Sequence, residues 1–301
     1  VDNRIRILCL GILLLMAGFS CQPAIKSSDD VKPNILLIVS EDHGQDIGAY
    51  GNEIVTTPNI DLLAENGVMF LNAYTTYSVS SPSRSSILTG LYPHQNGQIG
   101  LATHDFEMYK SFENIPSYLK NQGYKTGCLG KLHVNPEASF PFDFHEIESS
   151  NFAKKKMGDY AIKAAEFINS SGGKPFFLMV NFPDAHFPLL RKVDGLPTIE
   201  VNENQISGTL PFVGVDSERL RAQTADYYSQ INRLDESVGM LMDSLKSSGK
   251  AENTLVIFLS DHGAQFSRGK TTSYEAGLKI PLIMNWPKGL KSKKLKREEL
   301  V

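Results

Sequence analysis

Three scarcities narrow the reading of this 301-residue chain before any motif is considered. Cysteine is the first: Cys9, Cys21 and Cys128 cannot build a disulfide framework, so the fold must rest on a buried core. Charge of one sign is the second. Thirty Lys and Arg stand against 33 Asp and Glu, leaving a net charge of -3. That excludes a global field for nucleic acid or an anionic membrane and leaves only local anion sites. Long apolar runs are the third: the longest, Ile7 to Phe19, would span about 20 Å as a helix, short of a bilayer core. No internal repeat is present. With 41% hydrophobic and 21% charged residues, the chain can bury one large core or two modest ones, and its composition carries no mark of disorder.

What is there begins with a processing signal. Arg4 and Arg6 precede the apolar run, and small residues follow it up to Cys21, as in the n-region and h-region of a secretory signal. The "GFSC" at 18–21 resembles a bacterial lipobox. The expectation is a signal segment over 1–20, a lipid anchor on Cys21, a polar tether over 21–32, and an exported periplasmic or membrane-anchored lipoprotein. An ordinary signal peptide with an incidental Cys21 is the alternative. The chain opens on Val1, so its start is an alternative initiation codon or lies upstream. Cys128 sits in an apolar stretch and reads as inert packing.

From Asn34 onward, short β-rich runs alternate with amphipathic helical patterns. "NILLIVS" (34–40) is apolar almost throughout, as for a strand covered on both faces. Helix, stop and strand recur in "TPNIDLLAENG" with "VMFLNAYT", in "IPSYLKNQG" with "YKTGCLGK", and in "YAIKAAEFINSSGG" with "PFFLMVNF". The longest helical signal runs from Asp216 to Gly249, with Tyr227, Ile231, Leu234, Val238, Leu241 and Leu245 on one face. "TLVIFLS" and "PLIMNWP" follow as strands. The pattern predicts an α/β fold: a largely parallel sheet between helices. Residues 188–215 read as a polar surface loop over one rim, and the basic run 287–301 as a solvated face.

Such folds place chemistry at the carboxyl ends of strands. Four strands here end in charged or imidazole groups: Glu41-Asp42-His43, Asp261-His262, Lys131 with His133, and Asp184 with His186. If the first two strands are neighbours, Glu41, Asp42 and Asp261 converge and demand a cation. Oxygen ligands suit Ca²⁺ or Mg²⁺, while His262 leans toward Mn²⁺ or Zn²⁺. The plainer reading, that each acid caps a following helix, weakens because the pattern occurs twice. The stretch "SVSSPSRSSILTG" (78–90) holds six serines around Arg84, and "SSILTG" reads as a helix entry, whose free N–H groups favour an anion. Lys131, His133, His186 and Lys270 supply further donors. Residue types alone therefore point to a metal-dependent hydrolase of an anionic ester. Among the remaining histidines, His43 is expected to support the acids from behind and His94 to be structural. His104 could face the pocket, and His145 carries no signal.

At "SSPSRSSILTG" (80–90) the sequence resembles the sulfatase signature: Cys or Ser, any residue, Pro, Ser, Arg, three residues, then Leu-Thr-Gly. "PNILLIVSEDHG", "GKLH", "PDAHFP", "SDHG" and "GKTTSYEAGLKIPLI" are similar to the family's other blocks, in the same order, over about 33–301. "YPHQNGQIGL", "HVNPE", "FPFDF" and "INRLDESVG" look most like the sulfamidase branch, which acts on N-sulfoglucosamine. The resemblance implies an alkaline-phosphatase-like fold, with 33–301 as an N-terminal catalytic domain and a smaller C-terminal domain absent. It implies that Ser80 is oxidised to formylglycine by a serine-type radical maturase. Glu41, Asp42, Asp261 and His262 would hold a divalent metal, Ca²⁺ by family habit, with the hydrated residue 80 as a further ligand. Arg84 and Lys131 would orient that hydrate and the sulfate, His186 or Lys270 would protonate the leaving group, and His133 would take a proton as sulfate is expelled. The implied partner is a sulfated saccharide, with no nucleic acid. Two positions depart from the family pattern: Glu41 stands for the usual aspartate, and His262 for the commoner asparagine. The Asp-His pair also occurs in related phosphodiester and phosphonate hydrolases, which keeps that activity open. A third reading is an inactive lipoprotein that binds sulfated glycans.

Overall fold

β1 (Asn34–Ser40) shows why the central sheet is covered on both sides. Its Leu36 and Ile38 share one apolar cluster with Leu178, Val180, Leu234, Val238 and Leu241, while Leu37 and Val39 share another with Leu88, Phe177 and Met179. Successive strand side chains point to opposite faces, so a strand apolar at every position needs a layer on each. The structure, a computed structural model, describes residues 32–148, 156–290 and 294–301; the signal segment, Cys21 and nearly all of the tether lie outside these. Residues 33–301 form one compact unit.

The other strands are β2 (Val68–Tyr74), β3 (Lys125–Gly130), β4 (Phe144–Glu146), β5 (Phe176–Asn181), β6 (Thr254–Ser260), β7 (Lys279–Asn285) and β8 (Leu295–Leu300). They form one sheet in the order β4-β3-β5-β1-β6-β7-β2-β8, in which β7 runs against its neighbours and the other pairings are parallel. Helices Pro58–Glu65, Met157–Ser170 and Glu218–Ser247 cover one face, and Ser80–Thr89 and Ile115–Asn121 the other. The register matters most for function. Ser40 pairs with Ser260, Val39 with Asn181, and Gly130 with Asn181, so Glu41, Asp261, Asn181 and Lys131 leave the sheet side by side at one edge.

Two sequence readings need correction. Residues 188–215 are more than a surface loop: Val201, Ile206, Leu210 and Val213 are buried against Ala225, Tyr227, Tyr228 and Ile231 of the long helix. Single apolar anchors separated by polar residues have no periodicity, so the pattern gave no sign of them. Most described residues of the basic C-terminal run are exposed, yet Leu295–Leu300 is a strand paired with β2. An edge strand needs only backbone partners, and the charged Lys296, Arg297, Glu298 and Glu299 discourage a further strand from adding to it.

The long helix also carries a buried acid. Asp235 accepts from the Ile60 amide at 2.7 Å, and from the amide and side chain of Asn59 at 3.2 and 2.8 Å. It thus caps the Pro58–Glu65 helix from 175 residues away. Burial outweighs these bonds and raises its carboxyl to about 6. Between about pH 4 and 6 the native state then keeps a proton that the unfolded chain has lost, so this group makes stability fall as pH rises through that window. Asp235→Asn is expected to remove that fall. In urea titrations at several pH values, its stability relative to the parent should improve by about 2–3 kcal/mol from pH 4 to pH 7. A pH-independent difference would contradict the raised pKa.

Candidate active site

The site is assembled by β1 and β6 first. Asp42 turns out of β1 with φ of 55°, a left-handed conformation for a non-glycine, and its amide donates to Asp261 Oδ1 at 3.2 Å. Glu41 is pinned from β5: its amide donates to the Asp184 carbonyl at 2.9 Å, and its own carbonyl accepts from the Ala185 amide. Gly263 permits the following loop to close, since a Cβ there would lie 1.8 Å from the Ala276 carbonyl oxygen. Glu41, Asp42, Asp261 and His262 are all buried.

The serine-rich stretch is helical from Ser80 onward, not only from the residues after Arg84. Ser80–Thr89 begins at Ser80 itself, and Pro82 falls in the first turn, where its missing N–H costs nothing. That places Ser80 at the helix entry, 1% exposed, with Oγ 3.1 Å from His262 Nε2. Arg84, one turn on, is fully buried. Its Nε donates to Asp261 Oδ2 at 3.1 Å, and its Nη1 to the Lys131 carbonyl at 3.0 Å and Asn181 Oδ1 at 2.7 Å. Ser83 Oγ donates to the Asp261 carbonyl at 2.5 Å, tying the helix to the end of β6.

The imidazoles are held in defined states. His262 Nδ1 lies 2.9 Å from the Gly263 carbonyl, which orients the ring so that Nε2 faces Asp42, Asp261 and Ser80. Burial holds His43 near 4, hence neutral: its Nδ1 donates to the Gly44 carbonyl and its Nε2 accepts from Ser40. It braces the strand end and bonds to none of the acids. His133, with φ of 59°, is pushed down to about 3 by burial, with Lys131 and Arg84 adding to the effect. It is a free base at neutral pH, and neither ring nitrogen has a partner among the described residues.

Three carboxylates meet three cations. Lys131 Nζ contacts Glu41, Arg84 bridges toward Glu41 and Asp261, and Lys270 Nζ lies 3.0 and 2.8 Å from the two Asp42 oxygens. Burial works against ionisation of Asp261, but His262, Arg84, Lys131 and Lys270 hold it well below the usual carboxylate range. Asp42 is likewise lowered against its burial, by His262, Lys270 and His186. His186 Nε2 stands 3.8 Å from Asp42 Oδ2. A site balanced in this way can take up a divalent cation together with a dianion without accumulating net charge.

The sequence-predicted residues Glu41, Asp42, Ser80, Arg84, Lys131, His186, Asp261, His262 and Lys270 are thus brought together, with His133 beside them. His94 is exposed and stacked on Tyr92 at 5.7 Å, His104 is exposed, and His145 Nε2 lies 3.3 Å from the Gly130 carbonyl. Cys128 is buried packing, its thiol pushed up to about 12 by desolvation. Two contributors were missed. Asn181 fixes Arg84, and its signal was a lone polar residue closing the apolar strand "FFLMVN". Arg233 forks onto Asp184 at 2.7 and 2.8 Å, and its signal was a charge on the buried face of the long helix.

The sulfatase family model matches residues 33–301. The chain belongs to the sulfatase family. Human N-sulphoglucosamine sulphohydrolase is 32% identical over 301 aligned positions, covering 93% of this chain and 58% of that protein. An ulvan-active sulfatase of Formosa agariphila is 32% identical over 273, covering 86% and 50%. This sulfatase chain therefore spans little more than half the length of such relatives. Among solved structures, Ps i-CgsB in complex with k-i-k-neocarrahexaose aligns with a TM-score of 0.73 at 25% identity, covering 90% of this chain and 69% of that one. The phosphonate monoester hydrolase of Agrobacterium radiobacter shares the fold, with a TM-score of 0.70 at 20% identity, covering 89% and 71%.

The sulfatase residues present fit a divalent metal. The ligand atoms of Asp42, Asp261 and His262 lie within 4.8 Å of one another, as do those of Glu41, Asp42 and His186. Arg84 Nη2 is buried without a hydrogen-bond partner among the described residues, as are both His133 nitrogens. Unsatisfied buried polar atoms are costly unless a ligand meets them, and Arg84 Nη2 lies 3.9 Å from Glu41.

Proposed function

We propose that this chain is the catalytic domain of an exported sulfohydrolase, lipid-anchored through Cys21, that removes sulfate from sulfated sugars of the glycosaminoglycan class in the manner of a sulfamidase. The observation that carries the reading is a buried cluster of Asp42, Asp261 and His262 that meets the helix-entry Ser80 through His262 Nε2, with unpartnered buried nitrogens on Arg84 and His133. The sulfated-sugar class is supported by the relative named N-sulphoglucosamine sulphohydrolase and by the ulvan-active sulfatase.

A divalent cation held by Glu41, Asp42, Asp261 and His262 would supply Lewis acidity at residue 80. Ser80 has one hydroxyl. Oxidised to formylglycine by a serine-type radical maturase and hydrated, residue 80 would offer two, one to attack sulfur and one to expel the sulfate. Arg84 Nη2 and Lys131 Nζ neutralise the transferred oxyanion. His133, a free base at neutral pH, takes the proton that its departure requires. His186 and Lys270, on the opposite side of Asp42, hold the sulfate and deliver a proton to the leaving oxygen or nitrogen.

A phosphonate or phosphodiester hydrolase is the second reading, favoured by the imidazole nitrogen of His262 among hard oxygen donors. The test is production beside a serine-type maturase, followed by the mass of the peptide containing residue 80. A loss of two hydrogens is expected, with faster turnover of N-sulfated or O-sulfated glucosamine than of phosphonate or phosphodiester substrates. Chelation should abolish that turnover, and re-addition of Ca²⁺, Mn²⁺ or Zn²⁺ identifies the ion. An intact serine under these conditions sinks the sulfatase mechanism for this chain. Retained glycan binding without turnover would then point to the inactive carbohydrate-binding lipoprotein.

A further inference from the structure

Arg268 is an exposed arginine without a protein acceptor among the described residues. Its guanidinium lies over the Tyr274 ring at 5.9 Å from the centroid. It also lies close to Gly214, where a Cβ would come within 3.0 Å of Nη1 and 3.3 Å of Cζ. Gly214 also has φ of 77°, so glycine is needed there both for its backbone and for the close approach. Arg191, Arg221 and Arg233 each sit on a carboxylate. Among the described residues, nothing accepts a hydrogen bond from Arg268. A guanidinium stacked but not paired keeps its whole fork of donors for a ligand, with little orientational freedom left to lose on binding.

The loop that carries Arg268 also carries Lys270. Arg268 stands two residues before Lys270, whose Nζ lies on Asp42, so the two Cα atoms are at most about 7 Å apart. The intervening Gly269 is locked: a Cβ there would lie 2.0 Å from the Ala264 carbonyl oxygen. The loop is stitched to the entry of the Ser80 helix, the Thr271 amide donating to the Ser78 carbonyl at 2.8 Å and Ser78 Oγ to the Thr272 carbonyl at 2.7 Å. Arg268 itself holds φ of 63°, a conformation that costs a non-glycine residue and that the loop enforces. Tyr274 is 60% exposed, so the platform faces solvent.

We propose that Arg268, which lies over Tyr274 and close to Gly214, is an anion subsite for a carboxylate or second sulfate on the sugar unit next to the one being desulfated. The inference rests on the sulfated-sugar reading above and narrows it to polyanionic oligosaccharides. The planar fork matches either anion in a bidentate manner.

The test is calorimetric binding of three disaccharides, each with one N-sulfated glucosamine. The neighbouring sugar carries a carboxylate, or the same group reduced to an alcohol, or the reduced form with an added O-sulfate. The parent protein is expected to bind one of the two anionic disaccharides about tenfold tighter than the neutral one, and the member that gains tells carboxylate from sulfate. R268G, whose glycine suits the left-handed backbone and keeps the fold, should bring that ratio to about one. R268K, with charge but no fork, should retain only part of it. The subsite is overturned if the parent shows no preference, if none of the disaccharides binds, or if the preference survives in R268G. An Arg268-dependent preference without turnover would sink the hydrolase reading alone, and turnover without the preference would sink the subsite alone.

Discussion

Arg233→Ala is expected to lower the unfolding free energy by about 3–5 kcal/mol, measured by urea denaturation at neutral pH. Arg233 and Asp184 are both fully buried and meet in a two-pronged contact at 2.7 and 2.8 Å, while Arg233 Nη1 also donates to the Leu190 carbonyl at 2.6 Å. Removing the guanidinium leaves the carboxylate in a low-dielectric interior without its main counter-charge. The exposed Arg221–Asp216 pair gives the contrast: Arg221→Ala should leave the urea midpoint close to that of the parent, because solvent screens the pair. Pairing Arg233→Met with Asp184→Asn should recover much of the loss, since no charge is then stranded. The effect should also reach the chemistry. The Asp184 carbonyl holds the Glu41 amide, so a relaxed Asp184 releases one of the acids at the end of β1. A loss below about 1 kcal/mol would show that the pair is not the anchor described here.

Ser80→Ala should have the opposite profile. Under the proposed mechanism, turnover is expected to fall by at least about a thousandfold, because the oxygen assigned to the attack is gone while the surrounding donors remain. Stability should change by about 1 kcal/mol, the net worth of the hydrogen bond between Ser80 Oγ and His262 Nε2. Steady-state kinetics with a sulfated glucosamine, read beside the same urea titration, separates the two variants: Arg233→Ala loses the fold, Ser80→Ala the reaction. Residual activity within tenfold of the parent would remove residue 80 from the mechanism.

Much of this was legible in the sequence because strand ends are local features. "NILLIVS" and "TLVIFLS" announce buried strands, and in a parallel sheet their carboxyl ends must emerge on one edge, so Glu41, Asp42, Asp261 and His262 could be grouped before any coordinates. What was not legible depends on distant partners. Nothing near Arg233 reveals Asp184, 49 residues away, and Asn181 gains its role only when Arg84 arrives from 97 residues away. The helix at Ser80 was placed late because four serines and a proline look like a turn, although the first turn of a helix tolerates both. β8 was missed because an edge strand bearing Lys296, Arg297, Glu298 and Glu299 has no apolar alternation to display.

The position of β1 in the sheet sets an order of events as well as a geometry. Asn34 at its start faces Thr254 at the start of β6, 220 residues later in the chain. At about 5–20 residues per second of synthesis, β1 waits about 10–40 s for that partner. Until it arrives, the loop after β6 cannot fold over Ser80 and close it from solvent. Under the proposed oxidation of Ser80, the maturing enzyme works against a clock set by translation, and the late arrival of β6 gives it time.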